Sequence, residues 1–267
     1  MSLNPFSIVL SRKVDKLNSM TLQIENLGHS TFTVKIGSLE VLTDPFLTEC
    51  AGGIKRAVPA AKRPEEVTPK VVIVSHAHYD HLDLKTVKRL KGKPVYLTPE
   101  NCKKVIKREE VIELKNFESV EIEGVRFWKV PAHHNRGRNL LHPDTGVGGF
   151  VIEHGGVTVY FAGDTAFSEH LYSSIGEKFK IDVAMLPIGG FFPVFRKFHQ
   201  TPEEAVKGFK ILKARRLVPI HFGSWHLIPL FLRLERALER LMACSLTSGI
   251  TDRVTVIQPG ERVTFDI

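Results

Sequence analysis

A short segment of the chain carries four side chains of the types that bind transition metals: His76, His78, Asp80 and His81. They follow directly after the apolar run 71–74. Imidazole nitrogens and carboxylate oxygens are ligands that suit zinc, iron or manganese. Histidines of an exposed loop are the alternative, but four ligand-type residues within six positions favour a metal site.

The run before these ligands indicates the element that positions them. Val71, Val72, Ile73 and Val74 are β-branched, and a continuous apolar run is typical of a strand buried on both faces. The ligand-type side chains can converge only if the backbone turns sharply where the strand ends. The segment therefore predicts a strand that ends in a metal-binding loop.

Three further predicted strands also end at ligand-type residues. These are His133 and His134 after 125–130, Asp164 after 157–161, and His221 after 217–220. If one of the adjacent histidines is counted, the whole set supplies five imidazoles and two carboxylates. That is enough to hold two neighbouring metals and leave positions open for water and substrate. We expect the ligands to meet at one edge of a sheet.

The remaining pattern predicts one domain over residues 21–267, preceded by a lead-in at 1–20. Alternating apolar residues predict two antiparallel strands on either side of Gly37-Ser38, followed by a long irregular loop at 48–69. Further strands are predicted at 95–97, in 111–130, and at 147–154, 183–186, 254–257 and 262–265. Helices are predicted at 82–91, 99–108, 201–213 and 228–243.

Composition bounds the class of protein. A chain of 267 residues with 43% hydrophobic content can bury a large core. The net charge of +8 is compatible with an anionic substrate, nucleic acid or an anionic membrane surface as partner. The three cysteines lack CxxC spacing, which argues against a disulfide framework and predicts a reducing, cytoplasmic location. No apolar run reaches the roughly 18 residues of a membrane span.

The order and spacing of these residues resemble the metallo-β-lactamase fold superfamily of binuclear hydrolases. Several segments are more narrowly similar to the branch that contains N-acyl-phosphatidylethanolamine-hydrolysing phospholipase D and its prokaryotic relatives. They are LGHST at 27–31, TDP at 43–45, HYDHLD at 78–83, FAGDT at 161–165, LPIG at 186–189 and PEEA at 202–205. The resemblance covers residues 21–226 and implies an α/β fold, a four-layer αββα sandwich with the site at the edge of two packed sheets.

The resemblance also implies a ligand set. One metal would be held by His76, His78 and His134, the other by Asp80, His81 and His221, with Asp164 bridging the two. The family pattern Pro-Ala-x-His selects His134, because His133 would face the other way on an extended segment. His199, just before the helix that begins at Pro202, matches a family histidine near the substrate.

Two metals predict a mechanism. Two divalent transition metals, zinc in the first place with manganese or iron as alternatives, would share a bridging water and lower its pKa toward about 7. The metal-bridging hydroxide, rather than a side chain, is then the nucleophile. Asp80 and His199 are the catalytic candidates, and His199 would donate to the leaving group or bind an anionic oxygen.

Three residues near the site each have two open interpretations. Asp44 either orients a ligand histidine through its second nitrogen or caps a turn. His29 either lines the site or is a buried, hydrogen-bonded histidine. Arg136, in the sequence Arg136-Gly137-Arg138, either binds a phosphate or lies in a solvated loop.

The predicted function is metal-dependent hydrolysis, with a phosphodiester, including phospholipid-like ones, as the favoured substrate class. A lactone or other carboxylic ester is the alternative, because the same hydroxide can attack a carbonyl. A metal-binding or redox protein is the non-enzymatic alternative. We expect a small or lipid-like anionic substrate, and nucleic acid is disfavoured. Peripheral membrane contact, through Phe191 to Phe195 or the helix at 228–243, is less favoured than packing of these segments.

Overall fold

The computed structural model describes residues 21–190, 197–224 and 236–267. The strands are β1 (Thr21–Gly28), β2 (Thr31–Ile36), β3 (Leu39–Thr43), β4 (Cys50–Ala51), β5 (Ile54–Lys55), β6 (Val71–Ile73), β7 (Val95–Thr98), β8 (Val111–Glu113), β9 (Ser119–Ile122), β10 (Val125–Val130), β11 (Gly149–His154), β12 (Val157–Phe161), β13 (Val183–Pro187), β14 (Arg216–Ile220) and β15 (Arg262–Asp266). The helices are α1 (Leu84–Arg89), α2 (Lys103–Ile106), α3 (Glu169–Lys178), α4 (Pro202–Leu212) and α5 (Arg236–Thr247). Single 3-10 turns form at Pro64–Glu66 and Thr251–Arg253.

Two large sheets form the centre of the molecule. The first has seven strands in the order β15-β1-β2-β3-β6-β7-β8, and the second has six in the order β14-β13-β12-β11-β10-β9. Strands β3, β6, β7 and β8 pair in parallel, as do β12, β13 and β14. Because the carboxyl ends of parallel strands meet at one edge, the loops that follow β12 and β14 lie at one edge of the second sheet, and an isolated bridge between His76 and Val147 joins the loop after β6 to the segment that precedes β11.

The apolar core consists of three clusters of buried side chains. Side chains from both sheets, such as Phe32 and Phe127, pack between them. A second cluster joins the second sheet to α3, α4 and α5, and a third joins the first sheet to α1 and α2. The predicted αββα sandwich is therefore confirmed.

Strand β6 shows why its sequence is apolar throughout. Val71 and Ile73 face the cluster between the sheets, whereas Val72 and the following Val74 face the cluster under α1 and α2. Alternate residues of a strand point to opposite faces, so both sets must be apolar when both faces are covered.

The structure differs from the sequence prediction at several places. The first predicted strand is two strands, because the chain turns at His29 and Ser30, where His29 has a φ of 63°. Helix α3 was not predicted. Residues 254–257 form no strand; Val254 makes a single bridge to Leu217.

Some predicted features lie outside the described residues. They are the lead-in at 1–20, the segment Phe191 to Phe195 and part of the helix predicted at 228–243. Within the described part of the chain, no helix has the length and hydropathy needed to cross a membrane. The three cysteines are free thiols.

Candidate metal centre

The predicted ligands converge from four strand ends in both sheets. The loop after β6 brings His76, His78, Asp80 and His81, and the ends of β10, β12 and β14 bring His134, Asp164 and His221. Four overlapping groups of potential ligands have their ligand atoms within 4.8 Å of one another. Two of these groups share no residue: the first group is His76, His78 and His134, and the second is His29, Asp80, His81 and His221. The other two groups overlap them and are Asp44, His76 and His81, and His134, Asp164 and His199.

The first group consists of imidazoles, of which those of His76 and His134 are buried and that of His78 is half-buried. His134 Nε2 lies 3.2 Å from His78 Nδ1, and the His76 and His134 ring centres are 4.6 Å apart. Burial lowers the pKa of His134 to about 4 and holds the pKa of His76 well below its ordinary value. Both imidazoles are therefore neutral near pH 7, and the neutral form is the one that binds a metal.

The second group combines imidazoles with a carboxylate. His29 Nε2 lies 3.2 Å from Asp80 Oδ2, and the His29 ring centre is 4.3 Å from that of His221. Burial lowers the pKa of His29 to about 3. Burial alone would raise the pKa of Asp80, but the positive charge of His81 and the hydrogen bond and charge of His29 outweigh it, so the pKa lies below its ordinary value.

Asp164 lies between the two groups. Its Oδ2 is 3.2 Å from His81 Nε2, 3.1 Å from His221 Nε2 and 4.0 Å from His134 Nε2. Burial alone would raise the pKa of Asp164, but the surrounding histidines hold it well below its ordinary value. The carboxylate therefore carries a charge in a buried position.

Several polar atoms at this centre make no hydrogen bond of normal geometry among the described residues, although two of them, His81 Nε2 and His221 Nε2, lie within 3.2 Å of Asp164 Oδ2. They are His76 Nε2, His81 Nε2, His221 Nε2 and Asp164 Oδ1, all buried. A buried polar atom without a partner is costly unless another group, such as a metal ion, occupies its direction. Imidazole nitrogens and carboxylate oxygens in this number fit zinc, manganese or iron.

Hydrogen bonds on the far side of the rings fix which nitrogen faces the centre. His81 Nδ1 is 2.6 Å from Asp44 Oδ2 and donates to it. The Ser75 hydroxyl donates to the same Asp44 oxygen at 2.6 Å and lies 2.9 Å from His76 Nδ1, from which it can accept. His134 Nδ1 is 2.9 Å from the Phe198 carbonyl oxygen and donates to it. In all three rings the Nε2 lone pair is left for a metal.

Asp44 therefore has the contact expected of a residue that orients a ligand histidine, which is one of its two interpretations from the sequence. Ser75 was missed by the sequence interpretation, although it directly precedes His76. Its backbone N–H also donates to Asp44 Oδ1, at 2.6 Å. A serine between a buried strand and a histidine has no distinctive pattern, so only the contact with Asp44 reveals its role.

The two adjacent histidines differ in position. The His134 side chain is fully buried and belongs to the first group. His133 is exposed, and its backbone N–H donates to Thr165 Oγ1. The geometry agrees with the choice of His134 over His133.

His199 reaches the centre, whereas Arg136 does not line it. His199 Nε2 lies 3.0 Å from Asp164 Oδ2, and His199 and His29 both line the cavity above the centre. Arg136 is exposed and is absent from the described residues of the cavity wall. The guanidinium of the neighbouring Arg138 instead donates to backbone carbonyls of the loop after β6.

The cavity has a volume of about 490 Å³ and a largely apolar wall. Ala51 and Ile54, from the small β4–β5 hairpin, form part of that wall. Tyr79, Phe198 and Phe222 form other parts. A substrate group held there would be in contact with apolar side chains while its reacting atom faces the histidines.

Comparisons with known proteins identify a family that matches most of the chain. The family model described as Beta-lactamase superfamily domain matches residues 40–222. A UPF0173 metal-dependent hydrolase of Thermococcus kodakarensis is 32% identical over 254 residues, which is 91% of this chain and 99% of that protein.

Two solved structures share the fold. Igni18, a metallo hydrolase from the archaeon Ignicoccus hospitalis, has a TM-score of 0.70 at 24% identity, covering 92% of this chain and 99% of that one. An isothiocyanate hydrolase from Delia radicum gut bacteria has a TM-score of 0.72 at 22% identity, covering 93% of this chain and 100% of that one.

Proposed function

This chain belongs to the Beta-lactamase superfamily domain family and to its UPF0173 metal-dependent hydrolases, and from this premise we propose that two divalent transition metals, zinc in the first place, act at its site. The superfamily and the hydrolase class predicted from the sequence are confirmed. The narrower resemblance to the phospholipase D branch stays a prediction. Membership among metal-dependent hydrolases supports an enzyme over the non-enzymatic alternative, a metal-binding or redox protein.

The observation that carries the binuclear proposal is that the potential ligands include two groups that share no residue, with Asp164 Oδ2 within 4.0 Å of an imidazole nitrogen of each. In the proposal, His76, His78 and His134 hold one metal, and Asp80, His81 and His221 hold the other. Asp164 would contact both. Bound there, the two ions would supply Lewis-acid activation of water and stabilise the negative charge that develops on the substrate.

The remaining residues of the site have roles that follow from their positions. Asp44 and Ser75 hold His81 and His76 with their Nε2 atoms toward the centre. His199 Nε2 lies 3.0 Å from Asp164 Oδ2 and His199 lines the cavity, and in this proposal it would hold a proton near a leaving group. The apolar wall binds the part of the substrate that does not react.

We infer that the substrate is a phosphodiester. The net charge of +8 favours an anionic substrate, and so does the resemblance to the phospholipase D branch. One observation favours a lactone or other carboxylic ester as second candidate. Among the described residues that line the cavity there is no lysine or arginine, so the wall itself suits an uncharged substrate.

A hydrolysis screen tests the proposal. The metal-loaded protein is assayed against phosphodiesters, phospholipids and lactones, beside Asp164→Asn and the control Asp144→Asn, an exposed residue paired with Lys104. We expect turnover of a phosphodiester by the wild-type protein and the control. For Asp164→Asn we expect a loss of at least about 100-fold, because the central carboxylate is gone.

The outcomes separate the candidates. Turnover of lactones alone would replace the phosphodiester by the second candidate. An Asp164→Asn variant that keeps full activity and full metal content would show that the carboxylate does not connect two metals.

A further inference from the structure

We propose that Arg138 is a positioning residue that clamps the metal-binding loop and thereby sets its metal affinity. The clamped segment, the ligand loop, is defined as residues 77–82. The inference rests on the proposed function, because the loop carries His78, Asp80 and His81 as proposed ligands.

The guanidinium closes the ligand loop at both ends. Arg138 Nη1 donates to the carbonyl oxygens of Ala77 and Leu82, each at 2.7 Å. An Nη nitrogen carries two hydrogens, so one nitrogen can serve both carbonyls. Ala77 and Leu82 are fully buried, and charge-assisted hydrogen bonds to buried carbonyls are strong. The proposed ligands between these two residues are held as one turn.

The same side chain also contacts the middle of the loop. The guanidinium carbon lies 4.1 Å from the centre of the Tyr79 ring, a cation–π distance. The Tyr79 hydroxyl accepts a hydrogen bond from Asn139 Nδ2 at 3.1 Å. Tyr79 is one residue from both His78 and Asp80, so this contact fixes the loop at a third point.

The backbone that carries Arg138 is itself held in place. Gly137 N–H donates to the Thr145 carbonyl at 3.0 Å, and Arg138 N–H donates to the His142 carbonyl at 2.8 Å. Gly137 has a φ of 87°, and a Cβ there would lie 2.7 Å from the Pro143 carbonyl oxygen. Arg138 also follows His134 by four positions. One segment therefore supplies a proposed ligand from the second sheet and clamps the loop from the first.

The chemistry requires a guanidinium. The single ammonium nitrogen of lysine could also donate to both carbonyls, but it cannot at the same time present a planar face to the Tyr79 ring. We therefore expect Arg138→Lys to retain part of the effect and Arg138→Ala to lose it. Residues that orient metal ligands typically change metal affinity by about 10- to 100-fold when removed.

Metal affinity, measured by competition with a chromophoric chelator, tests the clamp. The full-length wild-type protein, Arg138→Ala and Arg138→Lys are compared with Arg126→Ala, an exposed arginine paired with Glu121 at the other end of β10. We expect a loss of about 10- to 100-fold for Arg138→Ala, a smaller loss for Arg138→Lys and no change for Arg126→Ala. Added guanidinium ion should restore part of the affinity of Arg138→Ala, whereas ammonium ion should not.

The outcomes distinguish the clamp from the proposed function. A wild-type protein that takes up no metal overturns both. Wild-type uptake with equal affinity in Arg138→Ala overturns the clamp alone, and so does a lost affinity that guanidinium does not restore. If circular dichroism shows that Arg138→Ala does not fold, Arg138→Lys decides, because wild-type affinity in that variant would contradict the need for a planar group.

Discussion

At the residue scale, hydrogen bonds link the carboxylate of Asp44 to two of the proposed ligands, His81 and His76. Asp44 accepts from His81 directly and from Ser75, whose oxygen in turn lies at hydrogen-bond distance from His76. Asp44 is fully buried, and burial raises its pKa although His81 and Ser75 act against this. Burial alone would lower the pKa of His81, but Asp164, Asp80 and Asp44 hold it well above its ordinary value. The three carboxylates that favour a proton on His81 would also favour a metal ion at Nε2 in place of that proton.

The adjacent histidines give a direct test of the proposed ligand set. We expect His134→Ala to lower the metal content to about one ion per chain, because it removes a ligand of the first group. His133→Ala should keep the wild-type metal content, because the His133 side chain is exposed. Elemental analysis of both purified variants measures this. If His133→Ala loses metal while His134→Ala keeps it, the assignment is reversed.

At the element scale, the end of one strand leaves room for the ligand at the end of its neighbour. Gly189 follows β13, and a Cβ added there would overlap His221 Nδ1 and the His221 carbonyl oxygen, just after β14. His221 also has a φ of 57°, so its backbone has little freedom to move aside. The ends of β13 and β14 are therefore too close for a Cβ at position 189, so glycine is required there.

Gly189→Ala should displace His221 and reduce metal affinity by about 10-fold or more, as loss of a well-oriented ligand does. The control is Gly176→Ala in α3, whose added Cβ would lie 3.0 Å from Leu212 Cα in α4, at a contact between the two helices. We expect the control to lower the melting temperature but to keep the metal content of the folded protein. Equal metal affinity in Gly189→Ala and the wild-type protein would contradict this role.

The buried Glu25 of β1 forms ion pairs with Lys62, in the loop between β5 and β6, and with Arg262 in β15, and these pairs predict a pH dependence. Burial alone would raise the pKa of Glu25 in β1, but hydrogen bonds and charges from Lys62 and Arg262 outweigh it and hold the pKa below its ordinary value of 4.5. The contacts are 2.7 Å to Lys62 Nζ and 2.6 Å to Arg262 Nη2. Because the folded pKa is depressed, this stabilisation is present above pH 4.5 and is lost as the pH falls through the folded pKa.

Glu25→Gln should accordingly lower the melting temperature at pH 7 by about 2–4 °C, for a loss of about 1 kcal/mol. The difference from the wild-type protein should shrink as the pH falls below the ordinary value of 4.5. Thermal unfolding over a pH series measures it, with Glu121→Gln in an exposed pair as control. A difference that is constant with pH would mean that the charge of Glu25 does not matter.

The elements that sequence could predict are those whose pattern is local. The apolar run 71–74 indicated a doubly covered strand, and the sequence Thr201-Pro202-Glu203-Glu204 indicated the start of α4, where the capping box forms. Helix α3 was missed although Ser168 caps it, because its apolar stripe of Leu171, Tyr172 and Ile175 is short among polar residues. Local signals of this strength are easily passed over.

The parts of the site that sequence could not predict depend on contacts between distant segments. His29 enters the second group because the chain turns at Ser30, a turn that alternation of apolar residues does not reveal. The partners of Arg138 are carbonyls that lie 61 and 56 positions away. Backbone acceptors have no sequence signature, so the sequence Arg136-Gly137-Arg138 indicates only a phosphate contact or a solvated loop.

At the scale of the whole molecule, the site joins the two sheets. The ligand loop follows β6 in the first sheet, and His134, Asp164 and His221 follow strands of the second. Metal ions held between these groups would cross-link the two halves of the sandwich. Metal binding to the folded state alone also raises the free energy of unfolding.

Removal of metal should therefore destabilise the protein as well as inactivate it. With free metal at about 1,000 times its dissociation constant, binding at one site contributes about 4 kcal/mol. We expect chelation to lower the melting temperature by on the order of 10 °C, and zinc to restore it. Differential scanning calorimetry of the wild-type protein and of His78→Ala, with and without chelator, measures this. The chelator should have a smaller effect on His78→Ala, because one group has already lost a ligand. An unchanged wild-type melting temperature after complete metal removal would show that the ions do not connect the two sheets.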